Sequence, residues 1–133
     1  MSFTTKLKVH GFHLDSFGHV NNARYLEFLE AARWDWLAAS DCMQVLQQEQ
    51  VVFAIVNINI NYKAEARLGD VLDISCAVGR LGEKSVQLTQ EVRRERDQVV
   101  VADATITFVF MDVRTRQARP VEGRLRELML AAV

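Results

Sequence analysis

The stretch Val20-Asn-Asn-Ala-Arg-Tyr-Leu-Glu-Phe-Leu-Glu-Ala-Ala-Arg-Trp-Asp-Trp-Leu-Ala-Ala39 decides how this chain folds. Tyr25, Phe28, Leu29, Ala32 and Trp36 stand at offsets 0, 3, 4, 7 and 11, which a helix brings to one face. Leu26, Trp34 and Leu37 widen that face and leave only a narrow polar arc of Arg24, Glu27, Glu30 and Asp35. The spacing predicts a helix over Val20 to Ala39, and so apolar a helix expects cover on most sides.

On either side the period changes to two. Thr4 to Phe12 sets Thr5, Leu7, Val9 and Gly11 against Lys6, Lys8 and His10, a first strand with one face buried. After Val51, the residues Val56, Ile58, Ile60 and Tyr62 alternate with Asn57, Asn59 and Asn61. Turn pairs at Gly69-Asp70, Gly82-Glu83 and Asp97-Gln98 separate strands expected over Val71 to Arg80, Lys84 to Arg96 and Val99 to Met111. A short strand near Val113 to Arg119 and a helical tail from Glu122 to Ala132 complete the reading. The order requires an α+β fold, an antiparallel sheet wrapped around one long central apolar helix.

The 133 residues are half apolar and a quarter charged, the profile of a single domain spanning 1–133. Sixteen basic residues against seventeen acidic ones, mostly scattered, argue against nucleic acid as a partner. Cys42 and Cys76 lack the spacing of a zinc or redox motif and read as reduced, packed thiols. No apolar stretch reaches the ~18 residues of a membrane span and no signal-peptide core precedes Lys6. A cytoplasmic protein is expected.

Chemistry concentrates between the first strand and the helix, in His13-Leu-Asp-Ser-Phe-Gly-His-Val-Asn-Asn-Ala-Arg-Tyr25. A loop feeding a helix amino terminus offers unpaired N–H groups and a positive dipole end, and Asp15 is a carboxylate placed beside them. Amides around Val20, Asn21 and Asn22 would polarise a thioester carbonyl while Asp15 attacks it or activates water. Blander readings stand beside these. Asp15, Asn21 and Asn22 are also common caps and turn formers, and His19 is equally at home as a helix-start residue. Tyr25 is a core position by default. Glu27 and Glu30 pair naturally with Arg24 and Arg33 on the helix surface. Trp34 and Trp36 are most simply core or interface groups, and the three-Asn strand face is either solvated or a subunit contact. No G-x-S-x-G, H-E-x-x-H or Gly-rich phosphate loop supports another mechanism.

The cluster at 13–25, followed by Leu26-Glu-Phe28 and Ala32-Arg-Trp34, resembles the hotdog-fold acyl-CoA thioesterases of the 4-hydroxybenzoyl-CoA thioesterase class, and most of all the long-chain enzymes of bacterial fatty-acid β-oxidation. Val56-Asn-Ile-Asn-Ile-Asn-Tyr62, Val101-Ala-Asp-Ala104 and Thr107-Phe-Val109 extend the likeness over nearly the whole chain. The resemblance implies Asp15 as base or nucleophile, a helix-start N–H near Asn22 on the carbonyl, and His19, Val20 and Asn21 beside the substrate. It implies no metal and no cofactor, coenzyme A being part of the substrate, and a site lying between two protomers of a homodimer or homotetramer. His19 and Asn21 depart from the aromatic-substrate members and are similar to fatty-acyl thioesterases, which moves the expected substrate to medium- and long-chain acyl-CoA. Acyl-carrier-protein thioesters stay open as an alternative carrier. So do a hydratase or dehydratase on the same fold and a non-catalytic acyl-CoA binding module. The hydratase pattern resembles Asp-x-x-x-x-His with Asn and Pro inside, whereas three residues separate Asp15 from His19.

Overall fold

The computed structural model describes residues 3–132, so residues 1, 2 and 133 of the expected domain lie outside the described residues. Strand β1 (Phe3–Lys8) leads through a 3-10 turn at Gly11–His13 to helix α1 (Arg24–Ala38) and helix α2 (Cys42–Glu49). Strands β2 (Val51–Tyr62), β3 (Val71–Leu81), β4 (Val86–Arg94) and β5 (Val100–Asp112) follow, then the two-residue β6 (Ala118–Arg119) and helix α3 (Gly123–Ala131). The sheet runs β1-β3-β4-β5-β2, every pairing antiparallel, with β6 appended to β5. Among the described residues no helix is long and apolar enough to cross a membrane.

The face read from the sequence is the face that α1 buries: Tyr25, Phe28, Leu29, Ala32, Trp36 and Leu37. It lies on Leu72, Ile74 and Cys76 of β3, Val86, Leu88 and Val92 of β4, and Ala104, Ile106, Phe108 and Phe110 of β5. Each large side chain removed from water in this way contributes about 1.5–3 kcal/mol. Both thiols are free and buried, and burial pushes that of Cys76 up to about 12.

Several boundaries move for physical reasons. Helix α1 starts at Arg24 and not at Val20, because residues 19–21 pair with other segments: Leu14 bridges Val20 and His19 bridges Arg67. Strand β1 ends at Lys8, and Gly11–His13 curl into a 3-10 turn. Helix α2 was not expected; its buried residues Cys42, Val45 and Leu46 carry a helical spacing too short to stand out in a Gln-rich segment. The strand expected near Val113 shrinks to two residues because Arg116 turns the chain with φ 62°.

In β2, Ile55 faces Phe108 and Asn57 faces Thr107, which leaves Val56 as the extra residue of a bulge. The bulge shifts the alternation by one. Phe53 and Ile55 before it, and Ile58, Ile60 and Tyr62 after it, thus stand opposite Phe110, Phe108, Ile106, Ala104 and Ala102 on the helix side. Val56 does not share their face, contrary to the alternation in sequence. The three asparagines stand opposite Thr107, Thr105 and Asp103 on the outer face, where Asn61 donates to Asp103 Oδ1 at 3.0 Å. Strand β2 is a sheet edge and exposes Val52, Ile55, Val56, Ile58 and Tyr62.

Candidate active site

Residues Asp15 to His19 form a tight turn in which the Asp15 N–H donates to the His19 carbonyl at 2.9 Å and the Gly18 N–H to the Asp15 carbonyl at 3.2 Å. Gly18 has φ 80°, a left-handed conformation that a side chain opposes. The half-buried Asp15 side chain is held from one side only: Oδ1 accepts the N–H of Phe17 at 2.9 Å and of His19 at 3.3 Å. Its Oδ2 has no hydrogen-bond partner among the described residues. The turn-forming reading of Asp15 therefore holds for one oxygen and leaves the other available.

The amides expected at a helix start separate sharply. Val20 donates to the Ala66 carbonyl and Asn21 to that of His13, both at 2.9 Å. The Ala23 N–H donates to Asn21 Oδ1 and the Arg24 N–H to the Asn21 carbonyl, again at 2.9 Å. Neither Val20, whose side chain is buried, nor Asn21 has an amide left for a ligand. Of the amides at 20–24, the Asn22 N–H alone has no partner among the described residues, and Asn22 is exposed. The Tyr62 hydroxyl donates to the Asn22 carbonyl at 3.0 Å and fixes the turn from β2.

His19 extends in the other direction, its Nε2 standing 2.5 Å from Glu65 Oε2 in the loop between β2 and β3. The other Glu65 oxygen is taken by Arg67. That pairing, chiefly the Arg67 hydrogen bond, holds the Glu65 carboxyl below its usual range. Arg94, almost buried, donates to the Glu65 carbonyl at 2.8 Å. The sequence reading missed Glu65 and Tyr62, since both reach the site only through the sheet. Below the turn, the buried His13 accepts the His10 N–H on Nδ1 at 2.9 Å and meets Phe28 edge-on. Of the expected surface pairs on α1, Arg24 and Glu27 meet at 2.8 Å. Glu30 accepts instead from the indole of exposed Trp34, and Arg33 turns inward to the buried Gln90, 3.1 Å away.

An apolar groove of about 610 Å³ opens beside the second half of α1, walled by Trp36, Leu46, Val51, Phe53, Leu88 and Phe108. Trp36 stacks on Phe53 in its wall. Asp15 does not line it. Among the described residues no cluster of His, Cys, Asp and Glu is arranged to hold a metal ion.

The sequence model of the thioesterase-like superfamily matches residues 10–129. The long-chain acyl-CoA thioesterase FadM of Escherichia coli is 51% identical over 123 residues, 92% of this chain and 93% of that protein. The acyl-CoA thioesterase YbgC of Haemophilus influenzae is 28% identical, over 84% of this chain and 82% of its own. The crystal structure of YbaW, a probable thioesterase from Escherichia coli, superposes with a TM-score of 0.93 at 49% identity, covering 98% of each chain. A mutant 4-hydroxybenzoyl-CoA thioesterase complexed with 4-hydroxybenzoyl-CoA shares the fold, with a TM-score of 0.84 at 23% identity over 96% of this chain and 98% of its own. A sheet wrapped around one helix thus has its counterparts: this chain belongs to the thioesterase-like superfamily and has the hotdog fold.

Proposed function

We propose that this protein hydrolyses medium- to long-chain fatty acyl-CoA to free fatty acid and coenzyme A. The observation that carries the chemistry is the division of labour in the 15–22 turn, where Asp15 keeps one carboxylate oxygen free and Asn22 keeps one N–H free. The Asn22 amide receives the thioester oxygen, where negative charge develops as the carbonyl is attacked. Asp15, oriented by its two backbone bonds, takes a proton from water whose oxygen attacks the carbonyl carbon; the C–S bond then breaks and the proton passes to the departing sulfur. His19 lies beside this water.

The chain-length reading is supported by the FadM relationship and by the apolar groove. It rests also on a dimer. A long sheet edge with five exposed apolar side chains calls for cover, whereas the β1 edge is blunted by Lys6 and Lys8. Antiparallel pairing of two β2 edges sets the Tyr62 end of one strand against the Val51 end of the other. The Asp15 turn of one protomer then lies beside the groove of its partner, and the acyl chain passes from one to the other.

Thiol release from acyl-CoA and acyl-carrier-protein thioesters of graded length tests the reading. Asp15→Asn is expected to lower kcat by at least about 100-fold with the fold retained, the scale of a lost acid–base group. Full turnover in the folded variant overturns the mechanism. Saturable acyl-CoA binding with no thiol released from any substrate would make the protein a binding module.

A further inference from the structure

Resting on the reading above, we propose that Glu65 is a positioning residue of the active site, acting through His19. Three contacts join its loop to the catalytic turn: the Val20 N–H on the Ala66 carbonyl, the backbone bridge between His19 and Arg67, and the approach of His19 Nε2 to the Glu65 carboxylate. Glu65 is not an ordinary surface acid. Its carbonyl is gripped by Arg94, itself tied to Asp97, and each of its carboxylate oxygens has its own partner, Arg67 on one and His19 on the other. An ionised carboxylate held this way fixes the ring that bonds to it, as the outer partner of an imidazole does elsewhere.

The consequence is a choice of tautomer. With the proton on Nε2 directed at Glu65, neutral His19 presents the lone pair of Nδ1. The main chain of the same residue is locked to Asp15 in both directions, His19 N–H to Asp15 Oδ1 and Asp15 N–H to the His19 carbonyl. Glu65 therefore sets where Nδ1 stands relative to the Asp15 carboxylate. A water between them gives one proton to Asp15 as it attacks and keeps the other in a hydrogen bond to Nδ1. His19 is not ionised in the step, and the proton taken by Asp15 leaves on the thiol. The charged groups facing the imidazole and its partner are Glu65, Arg67 and Arg94, with Asp15 on the turn itself.

A double-mutant cycle in the full-length enzyme separates this role from a plain staple between two loops. Glu65→Ala is expected to lower kcat by about 10-fold, the scale for losing the group that orients an active imidazole, with KM little changed. In a His19→Ala background the same substitution is expected to add no further loss, since nothing is left to orient. Glu65→Gln, whose amide oxygen still accepts the Nε2 proton, is expected to keep most of the rate, and it carries the test if the alanine variant misfolds. Losses that multiply in the double variant, a rise in KM with kcat intact, or wild-type turnover in Glu65→Ala would each overturn the proposal. A dead Asp15→Asn variant alongside such a result leaves the hydrolase standing and removes only Glu65. Full turnover in Asp15→Asn removes the mechanism on which both rest.

Discussion

At the scale of single residues, the site depends on how each polar group disposes of its hydrogen bonds. Asp15, Asn21 and His19 all have roles as turn formers, and in the proposed mechanism this is not an alternative to chemistry. Asp15 uses one oxygen to shape the turn and keeps the other. The Asn21 side chain accepts the Ala23 N–H, while the Asn22 N–H has no partner among the described residues. His13 adds a dependence on pH. Burial, with Arg24 and His10 nearby, pulls it below its ordinary value near 6.5, and a protonated ring could not accept the His10 N–H. The unfolded chain takes up the proton first, so this contribution to stability is complete above about pH 6.5 and declines as pH falls from there toward the lowered native value. Melting curves from about pH 7.5 down to about pH 5, where histidine titrates, should show the wild-type advantage over His13→Gln shrinking with acid. A difference in Tm that stays constant would contradict this account.

At the scale of elements, α1 does two jobs on two halves. Its amino-terminal end follows the 15–22 turn, and its carboxy-terminal half walls the groove with β2 and α2. The periodicity of residues 25–36 made the buried face of α1 legible, because a helix that must cover a sheet repeats its apolar residues at 3 and 4. Helix α2 was not legible for the opposite reason: eight residues hold only one apolar repeat. Yet Met43 and Leu46 of α2 help close the groove, so under the proposed function this element bounds the acyl chain. Leu46→Phe is expected to narrow the groove and shift the preference toward shorter acyl groups. Each methylene excluded should lower kcat/KM by about four-fold, the equivalent of ~0.8 kcal/mol, while short acyl-CoA is hydrolysed as before. An unchanged chain-length profile would place the acyl group elsewhere.

At the scale of the whole molecule, an isolated protomer leaves its β2 edge bare and its groove away from its own Asp15. Val56, extruded by the bulge and 58% exposed, sits in the middle of that edge. Val56→Arg should prevent edge pairing by setting charge against its own copy near the twofold axis. Light scattering is expected to give a smaller assembly, and turnover is expected to fall with it because the site loses the partner's groove. An unaltered mass with full activity would mean that the protomers meet elsewhere or that each works alone.

The sequence by itself determined the α+β class, the face of α1, four long strands and the polar turn that precedes α1. These are readable because burial and local hydrogen bonding act at fixed short spacings. Only the tertiary structure decided which amide is free, since Val20 and Asn21 lose theirs to Ala66 and His13, partners that no local pattern names. It decided likewise that Val56 is extruded, because a bulge is a compromise between two strands and is not written in either. Glu65 came to His19 across 46 positions of chain by the pairing of two loops. The carboxylate was visible from the start; what holds its surroundings in place was not.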